Sequence, residues 1–341
     1  MKTKQILVGK VKIGGGAPIS IQSMCNTQTK DTKKTISQIK KLQKSGCEII
    51  RVAVEDLASA NACKIIRKNI SIPLVADIHF DYRIALACAP YVDKLRINPG
   101  NIGSDANVKK VVEAAKKYNL PIRIGINLGS LEKQFEHSYG RSPKAMVKSA
   151  EKHIRLLEKH NFTNIVVSLK ASDIDTTVKA CRLFNKTFRY PQHLGITEAG
   201  TEYSGTIKSS IGIGILLYEG IGDTIRVSLS ADPVKEIYPA QQILKFLNLR
   251  DGLNIVSCPT CSRVGIDVEK YALEIERSLS HMNSNKTIAV MGCVVNGLGE
   301  AKDADITIVG NKNKNPLLYV DHKFIKIIKP EKIIDEVKKY I

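Results

Sequence analysis

A (β/α)8 barrel followed by a small α+β domain is the architecture this sequence predicts, and two rhythms predict it. Across the first 245 residues, short β-branched runs alternate with lysine-rich amphipathic stretches. That alternation is the signature of parallel strands joined by right-handed helical crossovers. After Asp251 the spacing changes, and a second set of strands and helices fills the remainder. A length of 341 residues suits one large unit and one small one. The predicted domains are therefore 1–245, a TIM barrel, and 251–341, a small α+β domain.

The expected barrel strands are Ile19–Met24, Ile49–Val54, Pro73–Ile78, Lys94–Asn98, Pro121–Asn127, Asn164–Lys170, His193–Thr197 and Asp223–Ser230. Helices are expected over Thr32–Ser45, Ser59–Asn69, Asn107–Tyr118, Ser142–His160 and Asp173–Asn185. Eight such units in about 250 residues fit a closed barrel, with a doubly wound open sheet as the alternative. In the second domain, Asn254–Ser257, Thr287–Met291, Ala304–Val309 and Phe324–Ile328 read as strands. Asp267–His281 and Pro330–Tyr340 read as helices, and Asn311–Asn315 as a polar surface loop.

Composition narrows the class. Apolar residues make up 43% and charged residues 25%, as in a folded protein, and no apolar run is long enough to span a membrane. Met1 to Lys12 is lysine-rich without an apolar core, so no signal peptide is expected and the cytoplasm is the expected compartment. The net charge of +19 favours anionic partners, although lysine doublets on outer helix faces account for much of it. Eight cysteines in such a chain argue against a disulfide framework. Cys25, Cys47, Cys63, Cys88 and Cys181 read as small core residues.

Four expected strands carry an arginine inside an apolar run: Arg51, Arg96, Arg123 and Arg226. Side chains alternate between strand faces, so Arg96 shares a face with Asn98, Arg123 with Asn127, and Arg226 with Ser228 and Ser230. A buried guanidinium needs a partner, because an unpaired charge out of water costs several kcal/mol or more. With Lys170 these cations exceed the nearby acids Asp77 and Glu198. A bound polyanion of diphosphate size resolves the imbalance, since guanidinium matches phosphate oxygens bidentately. Barrel enzymes place such sites at the C-terminal ends of their strands. Asp77, His79, Asn98, Asn101, Asn127, Ser168, Lys170, Thr197, Glu198, Ser228 and Ser230 end those strands. Taken singly, a strand-end Asn or Ser is more often a turn former, and His79 and His193 are equally structural histidines. Glu198 is the candidate acid. Backbone N–H groups near Ser209 and Ser210 are a second, weaker phosphate candidate, while Gly220 reads as a helix C-cap.

The second domain holds Cys258 and Cys261 in a C-x2-C, then Cys293, then Glu300. Three thiolates suit zinc, with His281 as a fourth ligand, or an Fe–S cluster; the pair alone suits thiol redox chemistry or a purely structural role. Three cysteines and a carboxylate would leave one iron labile.

Taken together, these motifs resemble the bacterial hydroxymethylbutenyl diphosphate synthase family of the non-mevalonate isoprenoid pathway, in its short two-domain form. The resemblance spans the chain. It is carried by Ile21-Gln22-Ser23-Met24, Ala76-Asp77-Ile78-His79-Phe80, Leu95-Arg96-Ile97-Asn98-Pro99-Gly100-Asn101, Arg123-Ile124-Gly125-Ile126-Asn127, Gly195-Ile196-Thr197-Glu198-Ala199-Gly200, Ile225-Arg226-Val227-Ser228 and the cysteine motifs. It implies a TIM barrel joined to an iron–sulfur domain, in a homodimer where the cluster domain of one subunit caps the barrel of the other. It also implies flavodoxin or ferredoxin as electron donor, and reductive ring opening of methylerythritol cyclodiphosphate. The diphosphate would lie on Arg51, Arg96, Arg123, Lys170 and Arg226, with Asp77, His79, Asn98, Asn127, Ser228 and Arg263 around it. Cys258, Cys261, Cys293 and Glu300 would hold a [4Fe–4S] cluster, and Glu198 would protonate the leaving hydroxyl. Three positions depart from the family pattern: Leu298 replaces a usual proline before Glu300, Ser262 a common glycine, and Cys25 a frequent threonine. A basic RNA-binding protein with a zinc-ribbon-like end is the alternative of a different class, disfavoured by 5% aromatics and no tryptophan. A metal-free barrel acting on phosphosugars is another. Neither a nucleic-acid nor a membrane partner is expected.

Overall fold

The computed structural model describes residues 2–98, 101–279, 282, 284–295, 297–311 and 315–341. The chain divides into two compact units, Met1–Leu249 and Arg250–Ile341. Pro99, Gly100, His281, Asn296 and most of the loop expected at 311–315 lie outside the described residues.

The first unit opens with an antiparallel hairpin, β1 (Ile6–Val8) and β2 (Val11–Ile13). Eight parallel strands follow: β3 (Ser20–Met24), β4 (Ile49–Ala53), β5 (Leu74–Asp77), β6 (Lys94–Ile97), β7 (Ile122–Asn127), β8 (Ile165–Lys170), β9 (His193–Leu194) and β10 (Thr224–Ile225). They pair in the order β8-β7-β6-β5-β4-β3-β10-β9. A bridge from Val167 on β8 to Gln192, just before β9, closes the ring. The (β/α)8 barrel is thus observed, and closure rules out the open sheet.

The sequence sets where the outer helices begin. Asp31, Asp56, Ser104, Ser142 and Asp173 each accept the backbone N–H three residues on, starting helices Thr32–Lys44, Leu57–Lys68, Asp105–Lys117, Pro143–Lys159 and Ile174–Thr187. Each buries an apolar stripe, such as Val108, Val111, Val112 and Ala115, against the strands and leaves its lysines outside.

Two expected strands are shorter than predicted. β9 and β10 each pair over two residues. Past Leu194 the backbones close in on one another, and a Cβ on Gly195 would lie 2.6 Å from the Arg226 carbonyl oxygen. The β1–β2 hairpin was not expected. It closes the bottom of the barrel, where Val8 and Ile13 pack on the inward Ile49 and Val75, all fully buried.

The second unit is a mixed five-stranded sheet: β11 (Asn254–Ser257), β12 (Thr287–Met291), β13 (Ile306–Val309), β14 (Leu317–Val320) and β15 (Lys323–Ile327). The first three strands run parallel, and β13–β14 and β14–β15 pair antiparallel. Helix Val268–Leu279 and the short helix Ile333–Lys338 cover a core of Ile275, Ile288, Val290, Ile306, Ile308, Leu318 and Val337. Strand β14 is the one the sequence did not signal. It is four residues long and follows directly on Pro316. No described helix is long and apolar enough to cross a membrane.

Candidate active site

The predicted cations meet. Arg51, Asp77, His79, Arg96, Arg123, Asn127, Ser168, Lys170, Thr197, Arg226 and Ser228 line one cavity of about 250 Å³ at the C-terminal ends of the barrel strands. Asp77, Asn127 and Lys170 are the last residues of β5, β7 and β8. In-register pairing of Arg96 with Arg123, and of Asn127 with Lys170, places these side chains side by side.

Asp77 anchors the group. Its Oδ1 accepts from Arg96 Nη1 at 2.7 Å, and its Oδ2 lies 3.5 Å from Arg51 Nε. Burial would raise this carboxyl, but the Arg51 charge, the His79 contact and the Arg96 charge together hold it far below the usual carboxylate range. His79 Nε2 stands 3.0 Å from Arg96 Nη1.

Glu236 is a functional residue the sequence reading missed. Arg226 donates to its carboxylate through Nε at 3.1 Å and Nη2 at 3.0 Å, while Ser23 Oγ and the Leu229 N–H donate to the same group. Glu236 thereby joins Asp77 and Glu198, the nearby acids that the sequence names. Glu236 ends the turn Pro233–Glu236, and nothing in that stretch signals that it folds under the barrel rim. Met24 was missed as well. Its sulfur accepts from Arg51 Nε at 3.0 Å and Nη2 at 2.8 Å, with Arg226 Nη1 at 3.6 Å, so it orients both cations without neutralising them.

Two glycines make room for these side chains. A Cβ on Gly125 would lie 2.6 Å from Arg96 Nε, and one on Gly195 would lie 2.6 Å from Lys170 Nζ. Gly125 alternates with Arg123 and Asn127 along the inward face of β7, a signal available to the eye only once the face is known.

Among the described residues that line the cavity, five cations face one carboxylate, Asp77, with Glu236 paired to Arg226 beside it and Glu198 exposed at the rim. Arg123 bears most of the imbalance. It is 1% exposed, and its Nε and Nη1 have no hydrogen-bond partner. Burial, then repulsion from Arg51 and Arg96, disfavours its charged form; the same two causes push Lys170 well below the ordinary lysine value, burial first and then Arg123. Arg51 is pushed down to about 10, mainly by burial. An anion in this cavity would relieve all three.

The remaining barrel residues are placed less tightly. Asn98 follows β6 and is buried, outside the cavity lining. Glu198 is exposed, next to the cavity residue Thr197, on a left-handed backbone with φ of 52°. Ser209 and Ser210 do not form a phosphate site. They sit mid-way along helix Glu202–Tyr218, where backbone N–H groups bond within the helix. Gly220 does end that helix, with φ of 71° and its N–H on the Leu217 carbonyl.

In the second unit, Cys258 follows β11 and Cys293 follows β12, and the two strands are parallel neighbours. The Gly292 N–H donates to Cys258 Sγ at 3.1 Å. Cys261 is exposed, and its thiol is held below the usual value by the Arg263 backbone N–H, then by the Arg263 side chain. Cys293, half-buried, and Glu300, exposed, both act electrostatically on Arg263. Three thiols, two of them supported by N–H donors, with a carboxylate close by, fit the donor set of an iron–sulfur cluster, whose thiolates each take a different iron. Among the described residues no three His, Cys, Asp or Glu side chains converge as a site for one metal ion. The five other cysteines are buried in the barrel unit, as expected.

Comparison with known proteins agrees in both units. Residues 3–241 match the GcpE TIM-barrel domain and residues 254–341 the GcpE protein C-terminal domain. A relative from Caldanaerobacter subterraneus subsp. tengcongensis, named 4-hydroxy-3-methylbut-2-en-1-yl diphosphate synthase (flavodoxin), is 55% identical over 99% of this chain and 96% of its own length. One of the same name from Clostridium acetobutylicum is 51% identical over 100% of this chain and 98% of its own. Among solved structures, the N-acetylneuraminic acid (sialic acid) synthetase of Leptospira borgpetersenii serovar Hardjo-bovis superposes with a TM-score of 0.52 at 15% identity, over 82% of this chain and 99% of that one. That likeness speaks for the fold alone. By the match of both its domains and by identity over essentially its whole length, the chain belongs to the GcpE family.

Proposed function

We propose that this chain, like the 4-hydroxy-3-methylbut-2-en-1-yl diphosphate synthases among its relatives, is a two-electron reductase. It opens the ring of 2-C-methyl-D-erythritol 2,4-cyclodiphosphate and removes a hydroxyl, giving 4-hydroxy-3-methylbut-2-enyl diphosphate in isoprenoid biosynthesis. One observation supports this most: a buried Arg123, its Nε and Nη1 without hydrogen-bond partners, in a cavity whose cations outnumber its acids. Such a cavity is built to be completed by a diphosphate.

In this reading Arg51, Arg96, Arg123, Lys170 and Arg226 bind the diphosphate, and Asn127, Ser168 and Ser228 orient it. Asp77 and Glu236 hold three of the guanidiniums in place, so that little reorganisation accompanies binding. An arriving anion favours the charged form of Lys170, which burial and the neighbouring guanidiniums disfavour. Asn98 and Arg263 are assigned supporting contacts to the substrate. Glu198, at the exposed rim beside Thr197, carries the proton that lets the hydroxyl leave as water. Cys258, Cys261, Cys293 and Glu300 would hold a [4Fe–4S] cluster, which when bound supplies single electrons and a Lewis-acidic iron. We place the electron source with a flavodoxin, in keeping with the relatives' names. We also take the enzyme to be dimeric and cytoplasmic, a reading that the resemblance and the unpaired, buried cysteines of the barrel unit support.

The test is anaerobic turnover of the cyclic diphosphate with a strong chemical reductant. Product formation by brown, iron-loaded protein is expected; a colourless protein that turns over equally well would overturn the reading. Glu198→Gln is expected to keep the iron and lose most turnover, and an unchanged rate removes Glu198 from the reaction.

A further inference from the structure

Below the substrate cavity the barrel carries a second polar layer that the diphosphate does not use. Lys94 lies two residues before Arg96 on the inward face of β6, Gln22 two before Met24 on β3, and His193 two before Gly195 on β9. Ser20, Gln22, Lys94 and His193 are all at least 98% buried. Their polar atoms are nearly bare. Lys94 Nζ reaches Gln22 Oε1 at 3.4 Å. Ser20 Oγ, Gln22 Nε2 and both ring nitrogens of His193 have no partner, like Nε and Nη1 of Arg123 above them. The charges bearing most on Lys94 are Arg123 and Arg51; those on His193 are Arg123, Lys170, Lys94 and Arg51. All are cations.

A layer of this kind is a physical anomaly. It holds a lysine amine, a guanidinium edge, an amide, a hydroxyl and an imidazole; the charges acting on Lys94 and His193 are all cationic, and Asp77 is the carboxylate that acts on Arg123. Water could satisfy the hydrogen bonds but not the charge. The apolar cluster of Val8, Ile13, Ile49 and Val75 lies toward the hairpin end of the barrel, and Arg123 lines the substrate cavity at the other side. An occupant must therefore enter through the substrate mouth and be small. We propose that this layer is an internal binding site for a small monovalent anion of chloride size, seated between Lys94 and Arg123 beneath the diphosphate. A spherical anion accepts N–H bonds from any direction, which suits donors arriving from β3, β6, β7 and β9. Its charge offsets the burial of Lys94 and leaves Arg123 oriented for the substrate above. The proposal does not depend on the identity of that substrate.

The test is a crystal of the full-length protein grown in bromide, with pyrophosphate filling the upper cavity. An anomalous peak within hydrogen-bond distance of Lys94 Nζ is expected; a water at that position, with no anomalous signal, overturns the proposal. In solution, chloride is expected to raise the Tm by roughly 3 °C over gluconate at equal ionic strength, with pyrophosphate present throughout. Lys94→Met is expected to abolish the difference. Equal Tm values for the wild-type protein in the two salts would also overturn it, a result that does not require the variant to fold.

Discussion

Replacing Arg123 by methionine should move stability and binding in opposite directions. The side chain is 1% exposed, with two guanidinium nitrogens unpartnered, and its largest electrostatic neighbours are Arg51 and Arg96. In the empty protein it is a buried charge that nearby Asp77 does not pair, and exchanging such a charge for an apolar chain of similar volume is stabilising by about 1–4 kcal/mol. Taking about 2 kcal/mol, and the shift of about 2–4 °C per kcal/mol for a unit of this size, Tm in chloride-free buffer should rise by about 5 °C. Binding should move the other way. Loss of a buried, charge-assisted contact to phosphate costs about 3 kcal/mol, or roughly 150-fold in Kd. Differential scanning calorimetry and pyrophosphate titration calorimetry measure the two effects on one preparation. An arginine that serves only to hold the fold together would lower Tm when removed and leave pyrophosphate affinity alone. That pair of results would refute the argument.

Gly125→Ala should fold, because its backbone lies within a regular strand, yet weaken substrate binding about tenfold by pushing the Arg96 guanidinium aside, seen as a raised KM; an unchanged KM removes Gly125 from the site. Cys293→Ser should lose iron and the brown colour after anaerobic reconstitution, while the barrel still binds pyrophosphate; retained iron at wild-type stoichiometry rejects the ligand assignment. Pyrophosphate binding should draw a proton from buffer, since Lys170 releases its proton below the ordinary lysine value when the cavity is empty and regains it beside an anion. Titration in two buffers of different ionisation enthalpy reads this uptake, and affinity should fall as pH climbs above the empty-state value. The same group gives a stability sign: between its lowered folded value and the unfolded value of about 10.4, the unfolded chain holds more protons, so Lys170 contributes stability that increases with pH in that window. A contribution of opposite slope, isolated by comparison with Lys170→Met, would contradict the assignment.

The barrel was legible because its signal is redundant. Eight β-branched runs with helical stretches between them leave few topologies, and the caps at Asp31, Asp56, Ser104, Ser142 and Asp173 sit where the first turns begin. The cation set was legible because an arginine between two aliphatic residues breaks the apolar run of a buried strand. What escaped lacks such contrast. Glu236 lies in Asp232-Pro233-Val234-Lys235-Glu236, whose composition reads as an exposed turn, and only the fold sends its carboxylate beneath Arg226. Lys94 opens its strand, where a lysine ordinarily reaches solvent, yet the hairpin beneath has covered that end of the barrel. That hairpin has three-residue strands, too short for an alternation to declare itself. Met24 looked like one more apolar residue, and its role depends on two guanidiniums contributed by other strands.

The hairpin at the foot of the barrel makes the proposed diphosphate cavity a cul-de-sac. With Val8 and Ile13 corking that end, the strand-end mouth is the opening to the proposed diphosphate cavity among the described residues of this unit. Turnover is then obliged to run in single file: the spent molecule must vacate before a fresh one settles, and the two compete for the same seat whenever the departing one accumulates.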